Sequence, residues 1–362
     1  MPLTTVSPAL LDSTAQYYGF KNRIINGDMR IDQRNNGAIS SAIPNSYNLD
    51  RWFVLQNVAG KFRVQQNAGA ITPPVGFSNY LGITSLSAYP VQIGGANTIA
   101  QRIEGLNVAD LAWGTANAAP VTLSFLVYSS LTGSFGGSIT NAAQDRSYPF
   151  SYSIPVANTW TTISLTIPGD TTGTWLTTNG IGLTVFFGIG VGVSLVNTAG
   201  AWTAGNFLSA TGSVSVVGTN GATLYITGVQ LEKGTAATSF DVIDYGRQLL
   251  QCQRYYAKTF PQTTAVAQNS GVALNTLSAI PTTTNGGVFQ QCWQYPTVMR
   301  AAPTVTTYNP AAADANWRNI SSGVNYTASI HNVSDRSAWI RIAVTVVALQ
   351  EYLIHADANA EL

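Results

Sequence analysis

Charge is what this sequence has least of. Of its 362 residues, 17 are Lys or Arg and 16 are Asp or Glu, so charged residues make up 9% of the chain and the formal net charge is +1. Ordinary soluble domains carry roughly 25% charged residues. A nearly neutral chain offers no field that attracts nucleic acid or anionic lipid, so we expect neither nucleic-acid binding nor membrane insertion.

Cysteine and long apolar runs are also scarce. Cys252 and Cys292 are too few for a disulfide scaffold or a Cys-rich metal site, and they either pair with each other or remain free thiols. No apolar run reaches the about 18 residues of a membrane span. The longest apolar stretch, residues 181–196, contains four glycines and is predicted to form buried strands. The N-terminus shows no secretory signal.

Motifs of common enzymes are missing as well. The sequence has no nucleophile elbow, no phosphate-binding loop and no dinucleotide fingerprint, and His331 and His355 fit no metal-binding spacing. We therefore predict a protein that is not an enzyme. A pair of carboxylates for polysaccharide hydrolysis stays open as an alternative, because the chain has 16 acidic residues.

Short alternating runs separated by turn residues fill the first two thirds of the chain. Residues 121–129 place apolar side chains at every second position, and residues 224–231 do so on either side of Gly228, where a bulge is predicted. A first strand is predicted at residues 22–31. Many short strands with regular turns predict an all-β protein whose residues 21–243 form a jelly-roll β-sandwich.

The period changes after this region. Tyr245, Leu249, Cys252 and Tyr256 recur at helical spacing, and Asp244 is a suitable N-cap, so a short connecting helix is predicted over residues 244–258. Residues 259–362 are predicted to form a smaller antiparallel β domain. Residues 1–20, which have little periodicity, are predicted to be an extended arm.

Tryptophans are the best candidates for a binding site. A sugar ring has apolar C–H faces and hydroxyl rims, so its site needs an exposed aromatic ring beside neutral hydrogen-bonding groups. Trp175, Trp202 and Trp317 are surrounded by turn or amide residues and are the predicted glycan-binding residues. The other candidates, Trp52, Trp160 and Trp339, lie in apolar surroundings and are predicted to pack in the core.

Several longer motifs resemble one kind of protein. The segments KNRIINGDMRIDQRNNG, YNLDRWFV, QRIEGLNVADLAW, NGATLYITGVQLEKG and YGRQLLQCQRYYAK follow, in this order, a pattern that is similar to tail-fibre and virion-appendage proteins of tailed bacteriophages. This resemblance implies a glycan-binding-module-like jelly roll, a connecting helix and a distal β domain at the tip, usually as a homotrimer. It also implies that a structural calcium ion could bind near Asp28 or Glu232.

The expected function follows from the resemblance together with the neutral, aromatic-rich composition. We expect a virion surface protein, made in the host bacterial cytoplasm, that attaches to other virion proteins through its N-terminal arm. As a tail fibre or similar appendage it would bind a host cell-surface polysaccharide during adsorption, and trimerisation would strengthen weak sugar binding. The alternatives are a head or tail decoration protein without receptor binding, and a capsule depolymerase.

Overall fold

The computed structural model describes residues 20–41, 44–282, 289–342 and 346–362. The predicted N-terminal arm, residues 1–20, therefore lies outside the described residues except for Phe20. Within those ranges the chain forms 24 strands and one α-helix, which confirms the predicted all-β class. No helix in the described ranges has the length and apolar character needed to cross a membrane.

The chain divides into two compact units. The first comprises the residues up to Arg30, Ser41–Tyr47 and Trp52–Ile243, and the second comprises Ile31–Ser40, Asn48–Arg51 and Asp244–Leu362. The second unit thus contains two short N-terminal segments, residues 31–40 and 48–51, which we call the N-terminal hook.

The strands up to Lys233 form two large antiparallel sheets and one small parallel pair. One sheet has the order β1-β4-β5-β15-β7-β10, the other has the order β13-β9-β8-β11-β6-β3-β2, and β12 pairs with β14. Four three-residue 3-10 turns occur at Ala68–Ala70, Gly105–Asn107, Ala109–Leu111 and Val193–Leu195. The strands are β1 Ser40–Ser41, β2 Ser46–Leu49, β3 Trp52–Gln56, β4 Phe62–Gln66, β5 Leu81–Ser85, β6 Ala96–Glu104, β7 Val121–Ser129, β8 Gly133–Thr140, β9 Arg146–Ile154, β10 Thr161–Ile167, β11 Ile181–Val191, β12 Val196–Asn197, β13 Thr203–Ala204, β14 Ser209–Ala210 and β15 Thr223–Lys233.

The core of the first unit lies between these two sheets, as expected of a jelly-roll sandwich. On β7, alternate residues from Val121 to Val127 are at most 1% exposed. The Phe125 ring packs edge-on against Phe187 of β11, with ring centroids 5.2 Å apart. Burying one such side chain stabilises the fold by about 1.5–3 kcal/mol. The alternation in the sequence therefore predicted the buried face of β7 correctly.

The predicted first strand, residues 22–31, was wrong, because this segment folds as turns. Asn26 and Met29 have φ of 58° and 60°, which extended strands do not allow. The segment contacts β15 at its bulge, where Gly228 has φ of 61° and the strand register shifts. There the Val229 amide donates to the Gly27 carbonyl over 2.9 Å. A Cβ at Gly27 would lie 2.1 Å from the Val229 oxygen, so only glycine fits this approach.

The second unit is built around a strand that the sequence analysis did not identify. This strand, β24 (Tyr352–Asn359), pairs with β16, β17, β19 and β20. A three-stranded sheet of order β18-β23-β22 completes the unit. Its strands are β16 Tyr256–Lys258, β17 Leu277–Ala279, β18 Phe289–Gln294, β19 Thr304–Tyr308, β20 Trp317–Asn319, β21 Asn325–Tyr326, β22 Ala328–His331, β23 Ser337–Ile342 and β24.

The predicted helix is present but shorter than expected. Helix α1 spans Tyr245–Gln253, and its N-cap is Asp244, whose carboxylate accepts from the Arg247 amide over 2.9 Å as predicted. Residues 256–258, predicted to continue the helix, form β16 instead because they pair with β24. The predicted apolar face was right for Cys252 and Tyr256, which are buried, and wrong for Tyr245, which is 50% exposed. Two glutamines, Gln248 and Gln253, are buried instead.

A buried network of charged groups within the second unit joins the hook to Glu361, which follows β24. Arg34 contacts Glu361 at 3.2 Å and Asp50 at 3.8 Å, and Arg51 pairs with Glu361. The guanidinium of Arg51 also lies over the Tyr255 ring, 3.6 Å from its centroid. Burial raises the pKa of Asp50 to about 6 against the opposing effect of Arg34. The network is therefore costly to desolvate and depends on every partner being present.

We expect Glu361→Gln to destabilise the second unit by about 3 kcal/mol, because it leaves two buried guanidinium groups without their shared carboxylate. Urea unfolding of the full chain, with hydrogen exchange of the β16 and β24 amides, measures this loss. Asp110→Asn is the matched control. Asp110 is 42% exposed in its pair with Arg23, so its loss should cost at most about 1 kcal/mol. Equal effects of the two substitutions would contradict this account.

Candidate functional site

Three tryptophans of the first unit meet in one cluster. Trp113 follows the second of two successive 3-10 turns, Trp175 lies in the loop between β10 and β11, and Trp202 lies just before β13. Their ring centroids are 4.7 Å apart for Trp113 and Trp175, 5.2 Å for Trp113 and Trp202, and 5.3 Å for Trp175 and Trp202. All three pairs pack edge to face, an arrangement that aromatic quadrupoles favour. We call Trp113, Trp175 and Trp202 the tryptophan cluster.

Each indole N–H in the tryptophan cluster is bound to a backbone carbonyl. Trp113 donates to Ala119 over 2.7 Å, Trp175 to Thr172 over 3.1 Å and Trp202 to Pro168 over 2.7 Å. Trp113 is 8% exposed, whereas Trp175 and Trp202 are half-buried. The ring orientations are thus fixed by contacts within the protein, and both Trp175 and Trp202 keep part of their surface exposed.

An ion pair fixes the loop that carries Trp175. Arg146, the first residue of β9, donates two hydrogen bonds to the carboxylate of Asp170, at 2.9 and 2.6 Å. The same carboxylate accepts from the amide and hydroxyl of Thr172. Gly173 has φ of 78°, and a Cβ there would lie 2.7 Å from the Arg146 side chain. The loop therefore packs closely on Arg146 and holds Trp175 in place.

The electrostatics of this pair agree with its geometry. Burial alone would raise the pKa of Asp170, but the hydrogen bonds from Arg146 and Thr172 outweigh burial and lower the pKa below its usual value. The carboxylate is therefore ionised at neutral pH and fully occupied by protein donors. Asp170 holds the loop, in which Thr171 and Thr174 are exposed.

The structure brings two of the three predicted glycan-binding residues together and excludes the third. Trp175 and Trp202 are in contact and partly exposed, but Trp317 is 0% exposed in the core of the second unit, so its prediction was wrong. The polar residues around Trp317 satisfy backbone groups instead. The Asn319 side chain, for example, accepts from the Ser321 amide over 3.0 Å. Trp113 was not predicted, although Gly114 directly follows it in the sequence.

The other predicted core tryptophans differ in how deeply they are buried. Trp52 is 1% exposed and donates to the Asn26 carbonyl, which confirms its predicted core position. Trp339 is half-buried, on the face of β23 opposite the fully buried Ile340 and Ile342, so its core prediction was wrong. Trp160 is also half-buried rather than in the core. It belongs to a second aromatic cluster, in which its ring packs against Tyr80 and Tyr128.

Cys252 and Cys292 are both free thiols, which decides between the two alternatives left open by the sequence. The carboxylates of Asp28 and Glu232 do not fit the calcium site that the resemblance implied. Asp28 pairs with Arg30, and Glu232 accepts from Gln230 and Thr238. Among the described residues, no three Asp, Glu, His or Cys side chains are grouped so as to hold a metal ion.

Comparisons with known proteins give only distant structural similarity. No family model matches the chain, and no curated protein matches it. A tailspike protein 4 domain of bacteriophage CBA120 is 13% identical, with 59% of this chain and 21% of that chain covered and a TM-score of 0.32. This chain therefore spans about a fifth of the tailspike domain. The fold class rests on the sheets described above.

Two carbohydrate-related structures give similar values. A sugar-binding protein of Bacteroides thetaiotaomicron is 13% identical, with 59% of this chain and 100% of that chain covered and a TM-score of 0.34. A family 11 carbohydrate-binding module of Clostridium thermocellum, in complex with a mixed-linked tetrasaccharide, is 10% identical, with 54% and 96% covered and a TM-score of 0.27.

We expect Asp170→Asn to destabilise the first unit by about 2 kcal/mol at pH 7, because it removes the charged acceptor of Arg146. Since the pKa of Asp170 is lowered, its contribution is complete above about pH 4 and is lost as the pH falls through the lowered value. The difference between variant and parent should therefore shrink by pH 3. Unfolding at both pH values tests this, with the exposed Asp335→Asn as control. A difference independent of pH would contradict the assignment.

Proposed function

We propose that the first unit binds an uncharged host-surface glycan through Trp175 and Trp202. The observation that supports this proposal is the pair of half-buried indole rings whose N–H groups are already bound, with the exposed Thr171 and Thr174 in the loop that carries Trp175. The C–H faces of a sugar ring pack on such surfaces, and neighbouring hydroxyls complete its hydrogen bonds.

The low charge of the chain supports an uncharged ligand. The carboxylate that holds the Trp175 loop, Asp170, is neutralised by Arg146. No free charge in this ion pair is left to attract an acidic polysaccharide or a phosphate, so recognition would depend on shape, ring stacking and hydroxyl contacts. Binding of this kind is weak at a single site, and linking several copies strengthens it.

The biological setting we propose is a virion appendage of a tailed bacteriophage, a tail fibre or a similar structure. The support for it is the set of sequence motifs that resemble such proteins. In this setting the protein is a homotrimer on the virion surface, attached to other virion proteins by residues 1–20, and it binds the host polysaccharide during adsorption without cleaving it. Three copies supply the multivalency that a neutral sugar site needs.

We expect the double substitution Trp175→Ala and Trp202→Ala to weaken glycan binding at least about tenfold, which corresponds to about 1.4 kcal/mol. The full chain would first be screened on an array of neutral and acidic bacterial surface glycans, and dissociation constants would then be measured for the bound glycans. Trp339→Ala, which removes a half-buried tryptophan from the second unit, is the control and should leave binding unchanged. Thermal melting confirms that each variant is folded.

Other outcomes would point to the alternatives. Loss of binding in Trp160→Ala alone would move the site to the second aromatic cluster. A folded chain that binds no glycan on the array and does not block phage adsorption would support a decoration protein. Release of reducing ends from a bound polysaccharide would support a depolymerase.

A further inference from the structure

The three-stranded sheet of the second unit has an inner face that packs in the core and an outer face that does not. On β23, Ala338, Ile340 and Ile342 are fully buried in that core. Trp339 and Arg341, which alternate with them, are half-buried. Alternate side chains of a strand point to opposite faces, so Trp339 and Arg341 lie side by side on the other side of the sheet. We call this side of β18, β22 and β23 the outer face.

The strand register shows which side chains lie beside these two. Trp339 is directly opposite Cys292 of β18 and His331 of β22. Arg341 is directly opposite Gln290 of β18. Directly opposite residues of antiparallel strands have Cβ atoms about 4.5–5.5 Å apart on the same face. An indole, a guanidinium, an amide and an imidazole are therefore neighbours on the outer face.

Trp339 and Arg341 both keep unused hydrogen-bond donors that solvent can reach. The Trp339 indole N–H is not buried, and it has no hydrogen-bond partner among the described residues. The Arg341 guanidinium donates from Nη2 to Gln290 Oε1 over 3.3 Å. Its Nε is buried, but Nη1 is neither buried nor bonded within the described ranges. A ligand on the outer face can therefore reach Trp339 Nε1 and Arg341 Nη1 directly.

Arg341 has no carboxylate partner in the part of the chain that the structure describes. Strands β18, β22 and β23 contain no Asp or Glu, and Arg341 takes part in none of the ion pairs. Asp335 and Arg336, in the turn between β22 and β23, are exposed and have opposite charges. An accessible guanidinium without a counter-charge favours an anionic ligand, and its planar fork fits a carboxylate.

The indole beside this guanidinium narrows the ligand class further. Residues two apart on a strand are separated by about 7 Å, so one six-membered ring and its carboxylate can contact both Trp339 and Arg341. The C–H face of a sugar ring packs on an indole. The three strands contribute one Arg and no Lys, which suits a single negative charge. A nucleic-acid chain, whose binding depends on neutralising several phosphates, finds too few cations there.

We propose that the outer face binds a sugar unit that carries a carboxylate, such as a hexuronic acid, with its ring on Trp339 and its carboxylate on Arg341. The amide of Gln290 and the imidazole of His331 then lie beside the ring hydroxyls. The choice of a sugar rests on the proposed glycan-binding function, whereas the choice of an anion rests on Arg341. This site differs from the tryptophan cluster in the unit that carries it and in the charge of its ligand.

Cys292 provides a local readout of the outer face. It is a half-buried free thiol directly opposite Trp339, whereas Cys252 is a fully buried free thiol. Iodoacetamide, an uncharged reagent, should therefore alkylate Cys292 first, and peptide mass spectrometry of the full chain measures the rate. The probes are methyl β-D-glucuronide and methyl α-D-galacturonide. Their neutral counterparts are methyl β-D-glucoside and methyl α-D-galactoside, and adenosine monophosphate represents a nucleotide.

We expect at least one uronide, at saturating concentration, to slow alkylation of Cys292 at least about threefold. Its neutral counterpart should leave the rate unchanged. The chain with Trp175→Ala and Trp202→Ala should show the same protection, because those residues belong to the first unit. This measurement needs no substitution on the outer face, so it does not depend on whether an outer-face variant folds.

Substitutions then identify the contacts, with uronide dissociation constants measured by saturation-transfer NMR titration. Arg341→Gln should weaken uronide binding at least about tenfold, and Arg341→Lys, which keeps the charge without the planar fork, about threefold. Trp339→Ala should weaken it about three- to tenfold and leave the affinity for uncharged glycans of the first unit unchanged. Arg336→Gln is the matched control, because it removes the same charge from the adjoining turn. Thermal melting confirms that each variant is folded.

Several results would overturn the proposal. One is that no uronide protects Cys292, and another is that the neutral glycosides protect it equally. Protection by adenosine monophosphate alone would indicate a nucleotide site instead. Equal losses of affinity in Arg341→Gln and Arg336→Gln would leave only a general effect of charge. Failure of the proposed function is distinguishable, because it would show as neutral-glycan binding that does not change when Trp175 and Trp202 are replaced, whatever happens at Cys292.

Discussion

The second unit depends on buried charge. In a chain with so few ionisable residues, Arg34, Asp50, Arg51 and Glu361 are gathered in one network, and the hook supplies all of them except Glu361. A buried ion pair gains little over apolar packing, but removing one partner is severely destabilising. Because of this network, we expect the second unit to need the hook, residues 31–40 and 48–51, as much as it needs its own strands.

An ion pair also fixes part of the first unit. Its tryptophan loop is held by the pair of Arg146 and Asp170, and the surface around that loop offers rings and hydroxyls. The ion pair fixes the backbone of the loop, and this is one reason why we propose an uncharged ligand for the tryptophan cluster.

Sequence patterns predicted the features that depend on residues close together in the chain. The alternation of β7, the bulge at Gly228, the cap at Asp244 and the turn-flanked Trp175 and Trp202 were all visible, because each depends on neighbours in the chain. The turns at residues 22–31, the end of α1 and the burial of Trp317 were not, because distant partners decide them. Strand β24 was not predicted although Tyr352, Ile354, Ala356 and Ala358 alternate and lie in the core, because the small alanines make that alternation only weakly apolar.

The hook has a consequence for synthesis on the ribosome. Arg51 and its partner Glu361 are separated by 310 residues. At about 5–20 residues per second, roughly 15–60 s pass between the emergence of the two. Throughout that interval the hook has been synthesised but its partner Glu361 has not. Its charged and amide side chains are hydrated during this time, whereas an apolar segment in the same place would expose a surface prone to aggregation. The first unit has time to fold before the hook binds Glu361.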